Sequence, residues 1–543
     1  MRRPLLLPLA ALLAACAAPR GMVVAPEPYA AREGARVLRA GGNAVDAAVC
    51  VGFVLAVTHP EAGNLGGGGF LLVRTRKDMV AIDARETAPA AAAPDMYLGP
   101  DGEVVPEASL VGPLAAGVPG SVAGYLLALE RFGTMDRARI LEPAIRLAEQ
   151  GFVVDGGLHR SLQRSAARLR LFRETAQVFV PGGRVPAAGS VLRQPRLART
   201  LRLIAERGRD GFYRGPVARD VAWISRKYGG RLTAEDLAAY RPVVRLPVRG
   251  TYRGRTILSM PPPSSGGVVL LQILALIEQV PVRLLSEPDR QHLFVEASRR
   301  AFADRAEWFG DPDFVEVPVR RLLDPDYVRS RFRAIDRSRA TPSAEVGAGS
   351  WGAEAEETCH FSVVDRRGGA VACTTTLNGS YGCGASAAGF LLNNEMDDFT
   401  AKPGRPNLYG LVQGERNAIA PGKRPLSSMT PTIVLHDGRP RYVLGSPGGP
   451  TIISSVAQVL VRLIDLEQDP ARAVAAPRLH HQWLPDAIQH EPLAPELAAE
   501  LRARGHTLTP RPRPMGDVQL IVVDREGRAR GYPDPRGRGR AAW

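Results

Sequence analysis

The sequence predicts an α+β fold, because helical and extended patterns alternate along the chain and the extended patterns form antiparallel hairpins. In the first half, apolar residues recur at helical spacing over residues 29–39 and 44–57. Short runs at 70–74 and 79–83 are predicted to form a pair of strands. A chain of 543 residues is long enough to bury a large core.

The second half of the chain is richer in β-forming residues than the first. Residues 122–335 are predicted to be a long helical region that is interrupted by turns of glycine and proline. Beyond it, strands are predicted near 432–435, 441–444 and 518–524, with one helix at 451–466 among them. The sequence contains no internal repeat and no long low-complexity tract.

The composition is that of a soluble globular protein. The apolar fraction is 45% and the charged fraction is 23%, both of which are ordinary values. The formal net charge is +15, but the basic residues are scattered and are not grouped with aromatic residues, so no nucleic-acid partner is predicted. A weak preference for anionic surfaces is left open.

The N-terminal sequence predicts that the protein is exported. Residues 1–15 have the pattern of a signal peptide, with basic residues followed by an apolar run that is too short to span a bilayer. The run ends at Cys16 in a sequence that resembles a bacterial lipobox, so Cys16 is predicted to carry a lipid. The predicted location is therefore the periplasm of a Gram-negative bacterium, with a lipid anchor in the outer membrane. An ordinary secretory signal that is cut near Ala18 is the alternative.

The other motifs predict neither a metal nor a cofactor. His480 and His481 have no further metal ligands at useful spacing. Residues 64–69 are rich in glycine but lack the Gly-Lys-Ser/Thr ending of a phosphate-binding loop. Four further cysteines match no disulfide framework and no metal site. These are Cys50, Cys359, Cys373 and Cys383.

Thr358 stands where a polar segment changes into a strand. Residues 339–357 are rich in Ala, Gly, Ser and Glu, and two β-rich runs then flank a turn at 365–369. A threonine hydroxyl is a poor nucleophile inside a chain, but at a chain terminus its own α-amine can act as the base. A cut between Glu357 and Thr358 would create that arrangement. A purely structural threonine is the alternative, and a cut one residue later would make Cys359 the nucleophile.

Several motifs then follow one another in an order that resembles the γ-glutamyltransferase family of N-terminal-nucleophile hydrolases. The motifs of the second half are TCHFSVVD at 358–365, TTTLN at 374–378, LLNNEMDDF at 391–399, KRPLSSM at 423–429 and GSPGG at 445–449. The others are GGNAVDAA at 41–48, THP at 58–60, GNLGGGGF at 63–70, DARE at 83–86 and APRLHHQW at 476–483. The resemblance covers nearly the whole chain after the first twenty residues or so.

The resemblance implies an αββα sandwich, in which helices cover two stacked sheets. Two fragments of one precursor would build this sandwich together. The large subunit would comprise residues 16–357, with an exposed linker at 339–357, and the small catalytic subunit would comprise residues 358–543.

The resemblance also implies a catalytic role for four residues. Thr358 would attack the preceding bond during self-cleavage and then the γ-carbonyl of a substrate, forming an acyl-enzyme. Thr376 matches a threonine that hydrogen-bonds the nucleophile, and Gly448 and Gly449 match the glycines of an oxyanion hole. Considered alone, strand propensity accounts for Thr376, and a turn before a helix accounts for the two glycines.

A further set of residues matches positions that hold the α-amino-acid end of a substrate. The carboxylate of that end requires a cation and hydroxyl groups, because a guanidinium binds a carboxylate through two parallel hydrogen bonds. Its ammonium group requires acceptor oxygens. The carboxylate-binding positions are Arg85, Ser427 and Ser428, and the ammonium-binding positions are Asn378, Glu395 and Asp398.

Residues 399–422 resemble the lid loop that covers the γ-glutamyl pocket in many bacterial members of the family. Tyr409 stands at its aromatic position. A lid would exclude water from the reaction. Among the neighbouring acidic residues, Asp397 is the one best explained as a solvated surface charge.

The resemblance predicts a self-processing γ-glutamyl hydrolase and transferase. Its substrates would be glutathione and related γ-glutamyl compounds, and its acceptors would be water, amino acids or dipeptides. One alternative is a cephalosporin (glutaryl) acylase or a poly-γ-glutamate depolymerase on the same fold. Another is a lipoprotein that binds γ-glutamyl peptides without catalysis.

Overall fold

The computed structural model describes residues 21–346, 358–405, 407–411, 414–511 and 513–543. Cys16, Glu357 and the linker segment 347–357 therefore lie outside the described residues. The described helices are α1 Pro28–Arg39, α2 Ala44–Thr58, α3 Ser121–Phe132, α4 Arg137–Gln150, α5 Gly156–Arg170, α6 Arg173–Phe179, α7 Pro195–Arg207, α8 Asp210–Tyr213, α9 Gly215–Lys227, α10 Ala234–Ala239, α11 Gly266–Glu278, α12 Glu287–Trp308, α13 Val319–Leu322, α14 Pro325–Arg333, α15 Thr451–Ile464, α16 Pro470–Ala475 and α17 Pro495–Ala503.

The strands are short, and most of them belong to two sheets. They are β1 Met22–Ala25, β2 Gly68–Arg74, β3 Met79–Ala84, β4 Phe152–Val153, β5 Val191–Leu192, β6 Val243–Arg245, β7 Val248–Tyr252, β8 Arg255–Ser259, β9 Cys359–Val364, β10 Ala370–Thr376, β11 Ser386–Ala387, β12 Phe390–Leu391, β13 Thr432–His436, β14 Arg439–Leu444, β15 Leu479–His480, β16 Ile488–His490, β17 Leu508–Pro510, β18 Gln519–Val523, β19 Ala529–Pro533 and β20 Arg540–Ala542.

One sheet has the strand order β20-β1-β9-β10-β2-β3-β6, and the other has the order β19-β18-β14-β13-β8-β7. The neighbouring strands of the first sheet are antiparallel throughout. Its central hairpin, β9–β10, turns at residues 365–369, where the Asp365 carboxylate accepts hydrogen bonds from the N–H groups of Arg367 and Gly369, each at 2.8 Å. The predicted hairpin after Thr358 is therefore confirmed.

The two faces of this sheet contribute to two different cores, because successive side chains of a strand point to opposite faces. Val23, Leu71 and Val371 pack in one cluster with the residues of α1 and α2. The adjacent residues Val24, Leu72 and Ala372 pack in the other cluster, which also contains residues of the six-stranded sheet and of α11, α12 and α15.

Helix α2 shows why a sequence this apolar becomes a helix. Asn43 accepts hydrogen bonds from the N–H groups of Val45 and Asp46, and the Asp46 carboxylate accepts one from the N–H of Asn43. This reciprocal cap satisfies N–H groups that a helix start would otherwise leave unpaired. All residues of α2 are buried, which explains why the helix has no polar face.

The structure confirms a mixed α+β fold and most of the predicted elements. The helices predicted at 29–39, 44–57 and 451–466 are α1, α2 and α15, and the predicted strands are β2, β3, β13, β14 and β18. The prediction of a helical region over 122–335 is wrong at 243–259, where β6, β7 and β8 lie. Their pairing partners, β3 and β13, come from distant parts of the chain, so local patterning does not reveal them. Among the described residues, no helix is long and apolar enough to cross a membrane.

Candidate active site

The two predicted catalytic threonines lie together at one end of the β9–β10 hairpin. Cys359 pairs with Thr375, so the same register continued by one residue places Thr358 opposite Thr376. Thr358 is 8% exposed and Thr376 is 2% exposed. Both line one cavity at this end of the sheet. Ten of the eleven predicted site residues line the cavity, namely Arg85, Thr358, Thr376, Asn378, Glu395, Asp398, Tyr409, Ser427, Ser428 and Gly449.

The glycine-rich segment 64–69 supports this end of β10. The Asn64 side-chain amide donates to the backbone oxygen of Thr376 at 2.7 Å and to the Thr375 hydroxyl at 3.1 Å. A Cβ on Gly67 would lie only 2.0 Å from the Thr376 oxygen. The glycines therefore allow close approach of two backbone segments beside the threonines.

Arg85 is buried at the centre of a charged cluster. Its guanidinium forms ion pairs with Glu395 and Asp398 and lies 3.8 Å from Glu86. Burial raises the pKa of Glu395 and of Asp398 and brings the pKa of Glu86 to about 7. Burial alone would lower the pKa of Arg85, but the three carboxylates together raise it above its ordinary value. The cavity thus holds a fixed cation between carboxylates.

Asn378 and the two serines extend the polar wall of the cavity. Asn378 has a positive φ of 73°, a conformation that asparagine tolerates better than most residues and that is frequent at functional sites. Its N–H donates to the Thr376 hydroxyl oxygen at 2.8 Å. The N–H of Ser427 donates to the Pro263 carbonyl oxygen at 3.0 Å, which holds the Ser427-Ser428 segment against the loop before α11.

Arg305, on α12, is a cavity residue that the sequence analysis missed. It is 2% exposed and donates to the hydroxyl oxygens of Ser265 at 2.8 Å and Ser428 at 3.3 Å. Burial lowers its pKa to about 10, and the only charged group that opposes this shift is Asp398. Among the described residues, no carboxylate forms an ion pair with it. Its hydrogen-bond partners come from distant loops, and α12 contains several other arginines and acidic residues, so no local signal distinguishes Arg305 from them.

Gly448 and Gly449 adopt backbone conformations that favour glycine, with φ values of 127° and 50°. The backbone oxygen of Gly448 accepts hydrogen bonds from the N–H and the hydroxyl of Thr451, at 3.0 and 2.7 Å, at the start of α15. Within the described part of the chain, the N–H groups of Gly448 and Gly449 have no protein acceptor. Two such N–H groups at a helix N-terminus are suited to stabilise an oxyanion.

The segment around Tyr409 covers the cavity. The Tyr409 hydroxyl donates to the backbone oxygen of Asn378 at 3.1 Å. The Asn407 amide donates to Asp398 at 3.1 Å, and its oxygen accepts from the Tyr409 N–H at 2.9 Å. A Cβ on Gly449 would lie 2.5 Å from the Tyr409 ring. This segment, predicted to be a lid, is therefore in contact with Asn378 and Asp398 and lies against Gly449.

The interpretation of Asp397 as a solvated surface charge is wrong. Asp397 is 7% exposed and accepts hydrogen bonds from the Ser109 hydroxyl and from the N–H of Leu408, both at 2.7 Å. Burial raises its pKa to about 7. Asp397 thus holds the segment around Tyr409 through Leu408. Its burial depends in part on Ser109, which is distant in sequence.

Replacement of Asp397 by Asn is expected to stabilise the protein more at high pH than at low pH. The folded-state pKa is raised from 3.8 to about 7, so the folded protein prefers the protonated carboxyl and loses stability as the pH rises through this range. Thermal unfolding at several pH values measures the effect. The midpoint difference between variant and wild type should widen by several degrees between pH 4 and 7, and a constant difference would contradict the buried, protonated state.

The histidines and cysteines of the predicted set have structural partners. His480 Nδ1 lies 2.7 Å from the Ser454 hydroxyl, and His481 Nε2 lies 3.2 Å from Asp486. The Gln482 amide donates to the backbone oxygen of Tyr409 at 3.3 Å, so this segment also supports the lid. Cys359 packs among the residues on the α2 side of the sheet, where burial raises its pKa. That position disfavours Cys359 as the nucleophile.

One group in the described residues has side-chain atoms close enough to bind a metal ion, namely His292, Glu296 and His506. Its donor set does not suit a cation. The Glu296 carboxylate pairs with the guanidinium groups of Arg299 and Arg300, and these two positive charges would repel a metal ion.

The fold and the site are those of an enzyme that holds a small polar molecule beside a threonine hydroxyl. The chain belongs to the gamma-glutamyltranspeptidase family, since the profile of that family matches residues 30–543. The predicted family is therefore confirmed.

Individual relatives agree with this assignment. A glutathione hydrolase proenzyme of Escherichia coli strain K12 is 46% identical over 527 residues, which cover 96% of this chain and 91% of that protein. The crystal structure of cephalosporin acylase from Bacillus halodurans matches with a TM-score of 0.85 at 28% identity and covers 97% of this chain and 96% of its own. The crystal structure of Helicobacter pylori gamma-glutamyltranspeptidase matches with a TM-score of 0.59 at 42% identity, covering 60% of this chain and 94% of its own.

Proposed function

We propose that the chain is a self-processing γ-glutamyltransferase and glutathione hydrolase. It cleaves γ-glutamyl amide bonds and transfers the γ-glutamyl group to water, an amino acid or a dipeptide through an acyl-enzyme on Thr358. The observation that carries this proposal is the single cavity in which Thr358 faces both a buried guanidinium and two buried carboxylates. The 46% identity to a glutathione hydrolase proenzyme supports it.

Self-processing would cut the chain before Thr358 and leave fragments 16–357 and 358–543. The two sheets, with cores on both faces of the larger one, support an αββα sandwich built from both fragments. Of the proposed linker at 339–357, residues 339–346 are described. Ser343 in this part is 1% exposed, and its N–H donates to Asp486 at 2.7 Å, so the large fragment would be fixed to the small one close to the cut.

In the proposed reaction, the Thr358 hydroxyl attacks the γ-carbonyl carbon while the α-amine of Thr358 accepts the hydroxyl proton. The N–H groups of Gly448 and Gly449 stabilise the oxyanion. Collapse of the tetrahedral intermediate breaks the amide C–N bond, and the leaving amine receives the proton. Water or an acceptor amine then attacks the ester carbonyl and releases the γ-glutamyl product and the threonine hydroxyl. The Thr376 hydroxyl lies beside the nucleophile and would orient it.

Substrate orientation follows from the opposed charges in the cavity. The α-carboxylate of the γ-glutamyl group would bind between Arg85 and the hydroxyls of Ser427 and Ser428. The α-ammonium would bind Glu395 and Asp398, with the Asn378 side chain as a further partner. The substrate end is a zwitterion, so binding replaces part of the internal pairing of Arg85 without adding net charge. The Tyr409 segment would then exclude water from this part of the cavity.

A comparison of two chromogenic donors tests the proposed function. The enzyme is expected to cleave a γ-glutamyl anilide and glutathione, and to cleave a glutaryl anilide, which lacks the α-ammonium, with a kcat/KM at least roughly 100-fold lower. The reason is that the glutaryl group has no ammonium group to bind the buried carboxylates of Glu395 and Asp398. Equal rates on both anilides would instead favour the acylase alternative, which the fold of the Bacillus halodurans enzyme supports. Binding of γ-glutamyl compounds without any product release would support the non-catalytic alternative.

Replacement of Arg305 by Met is expected to raise the KM for the γ-glutamyl anilide by roughly 10- to 100-fold, with a smaller change in kcat. Arg305 donates to Ser428 and adds a positive charge behind the carboxylate-binding hydroxyls; a hydrogen bond to a charged group contributes roughly 1.5–3 kcal/mol. The KM for a 4-aminobutanoyl anilide, which lacks the α-carboxylate, should rise far less. Arg305→Lys should partly restore the wild-type preference for the γ-glutamyl anilide over the 4-aminobutanoyl anilide. An equal loss for both donors would show that Arg305 has only a structural role.

We further propose that the protein is exported and held by a lipid on Cys16 at the periplasmic face of the outer membrane. The support is the N-terminal sequence itself, with its basic start, short apolar run and lipobox-like ending. The mass of the N-terminal peptide of the exported protein tests this proposal, since a diacylglyceryl group on Cys16 would be visible directly, and an unmodified N-terminus beyond Ala18 would contradict it.

A further inference from the structure

Five turns lie at the end of the two sheets that is opposite the active site. Thr358 directly precedes β9, whereas Val364 ends it and pairs with Met22 at the start of β1. The guanidinium of Arg74 donates to the backbone oxygen of Gly438 at 2.9 Å and so joins the turns of both sheets at this end. We call this surface the turn face. Its turns are residues 75–78, 252–255, 365–369, 436–439 and 524–528.

The turn face is basic. Its five turns contain nine arginine and lysine residues and five aspartate and glutamate residues, so it carries a net positive charge. Lys77, Arg366, Arg367, Arg439 and Arg525 are exposed, and among the described residues no carboxylate forms an ion pair with any of them. The acidic residues are partly engaged within the turns. Asp365 accepts from backbone N–H groups, and Asp524 pairs with Arg528.

Part of the turn face is concave. A pocket between the turns of the six-stranded sheet is lined by five basic side chains, Arg255, His436, Arg439, Arg441 and Arg525, and by two acidic ones, Asp437 and Asp524. Among the described residues, none of its four arginines forms an ion pair, and Asp524 pairs with Arg528 outside the pocket lining. The basic side chains therefore outnumber the acidic ones, which suits a phosphate group.

The N-terminus of the described chain is located at the same face. A Cβ on Gly21 would lie 2.8 Å from the Leu38 side chain and 3.5 Å from the Cα of Asp365. Only four residues lie between Cys16 and Gly21 in the sequence, and a fully extended chain from one to the other would span at most about 17 Å. Two apolar side chains are also exposed at this end, Met79 at 39% and Trp543 at 54%. Tryptophan is enriched where a protein meets the headgroup region of a membrane.

We propose that the turn face is a docking surface for a membrane that contains anionic phospholipids, with the pocket lined by Arg255, His436, Arg439, Arg441 and Arg525 holding lipid phosphate groups. The exposed basic residues and the exposed tryptophan both match a lipid surface. The surface acts with or without a lipid on Cys16, and with one it fixes the orientation of the anchored protein.

Docking through the turn face leaves the active site free. The six residues of β9 separate the turn face from Thr358, and a strand rises about 3.3 Å per residue, so the cavity lies about 20 Å above the turns. The substrate cavity therefore lies at the end of the sheets that is remote from the lipid surface.

Sedimentation with vesicles tests the proposal. The self-processed protein is produced without residues 1–16, so that neither the apolar N-terminal run nor an acyl chain contributes. It is mixed with vesicles of phosphatidylcholine or of phosphatidylcholine with phosphatidylglycerol. We expect binding to the anionic vesicles only, with a strong decrease at high salt. Combined replacement of Arg366, Arg367, Arg439 and Arg525 by Gln should weaken this binding roughly 10- to 100-fold, since each basic residue near an anionic surface contributes several-fold.

A matched control removes the same amount of charge elsewhere. Arg193, Arg199, Arg219 and Arg226 are exposed, lie in or directly before helices α7 and α9, and form no ion pairs among the described residues. Their combined replacement by Gln should change vesicle binding by less than about threefold, the uniform effect of lower net charge. Both variants should retain activity on a γ-glutamyl anilide, which shows that they fold. Equal binding to neutral vesicles, an equal loss in the control, or equally tight binding to double-stranded DNA would overturn the proposal.

Discussion

A Thr358→Ala variant is expected to remain one uncut chain and to release no measurable product from a γ-glutamyl anilide. The chain would keep its fold, because Thr358 precedes β9 and only a hydroxyl and a methyl group are removed. It would lose the group that attacks both the preceding peptide bond and the substrate. Loss of a nucleophile typically lowers kcat by a factor of roughly 10³ or more.

The intact mass of purified protein measures the first half of this prediction. The wild type should give two fragments, of which one begins at Thr358, while the variant should give a single mass. Thr358→Ser is the matched control, because it keeps the hydroxyl and the α-amine and should still be cut, more slowly. A cut Thr358→Ala chain would show that another protease performs the processing, and an uncut wild type would exclude Thr358 as an N-terminal nucleophile.

Replacement of Arg85 by Met is expected to reduce both stability and catalysis severely. The guanidinium neutralises Glu395 and Asp398 and approaches Glu86 at 3.8 Å, all of them buried. Removal of one partner from a buried ion pair costs roughly 3–5 kcal/mol, because it leaves buried charge unpaired. The same change removes the cation for the substrate α-carboxylate, so kcat/KM should fall at least roughly 10³-fold, mainly through KM.

Arg245 offers a matched control for this prediction. It also pairs with two carboxylates, Asp83 and Asp313, and the Asp83 side chain is fully buried, but Arg245 does not line the cavity. Arg245→Met should therefore lower the thermal midpoint while leaving the KM for the γ-glutamyl anilide within about twofold. Both quantities are measured on the same preparations. A KM for Arg85→Met equal to that of the wild type would rule out Arg85 as the carboxylate-binding residue.

Local sequence patterns were sufficient for elements that carry their own signals. Helix α2 has a capping asparagine, an acidic third residue and a continuous apolar run, and the β9–β10 hairpin has two β-rich strands around a turn with glycines. The family motifs also identified ten residues that the structure brings to one cavity. Those residues come from widely separated segments, so their proximity followed from the resemblance and not from spacing.

The features that the sequence did not reveal depend on distant contacts. Strand β7 contains a glycine and two polar residues, and it is a strand because it pairs with β8 at the edge of the six-stranded sheet. From the sequence, Asp397 has the character of a solvated surface acid. In the structure it accepts hydrogen bonds from Ser109 and from the N–H of Leu408, and it is buried. Arg305 acquires its place beside the substrate cavity only because Ser265 and Ser428 converge on it.

The strand order of the seven-stranded sheet has a consequence for the processed protein. A cut before Thr358 would leave β1, β2, β3 and β6 on one fragment and β9, β10 and β20 on the other, yet β1 lies between β20 and β9, and β10 lies next to β2. Strands of the two fragments would thus be interleaved in one hydrogen-bonded sheet, and the fragments could separate only by unfolding. Dilution of the native protein would therefore not dissociate them. After denaturation, in contrast, the two fragments would have to find each other, so refolding would be bimolecular and its rate would depend on protein concentration. Efficient folding would therefore be limited to the uncut precursor.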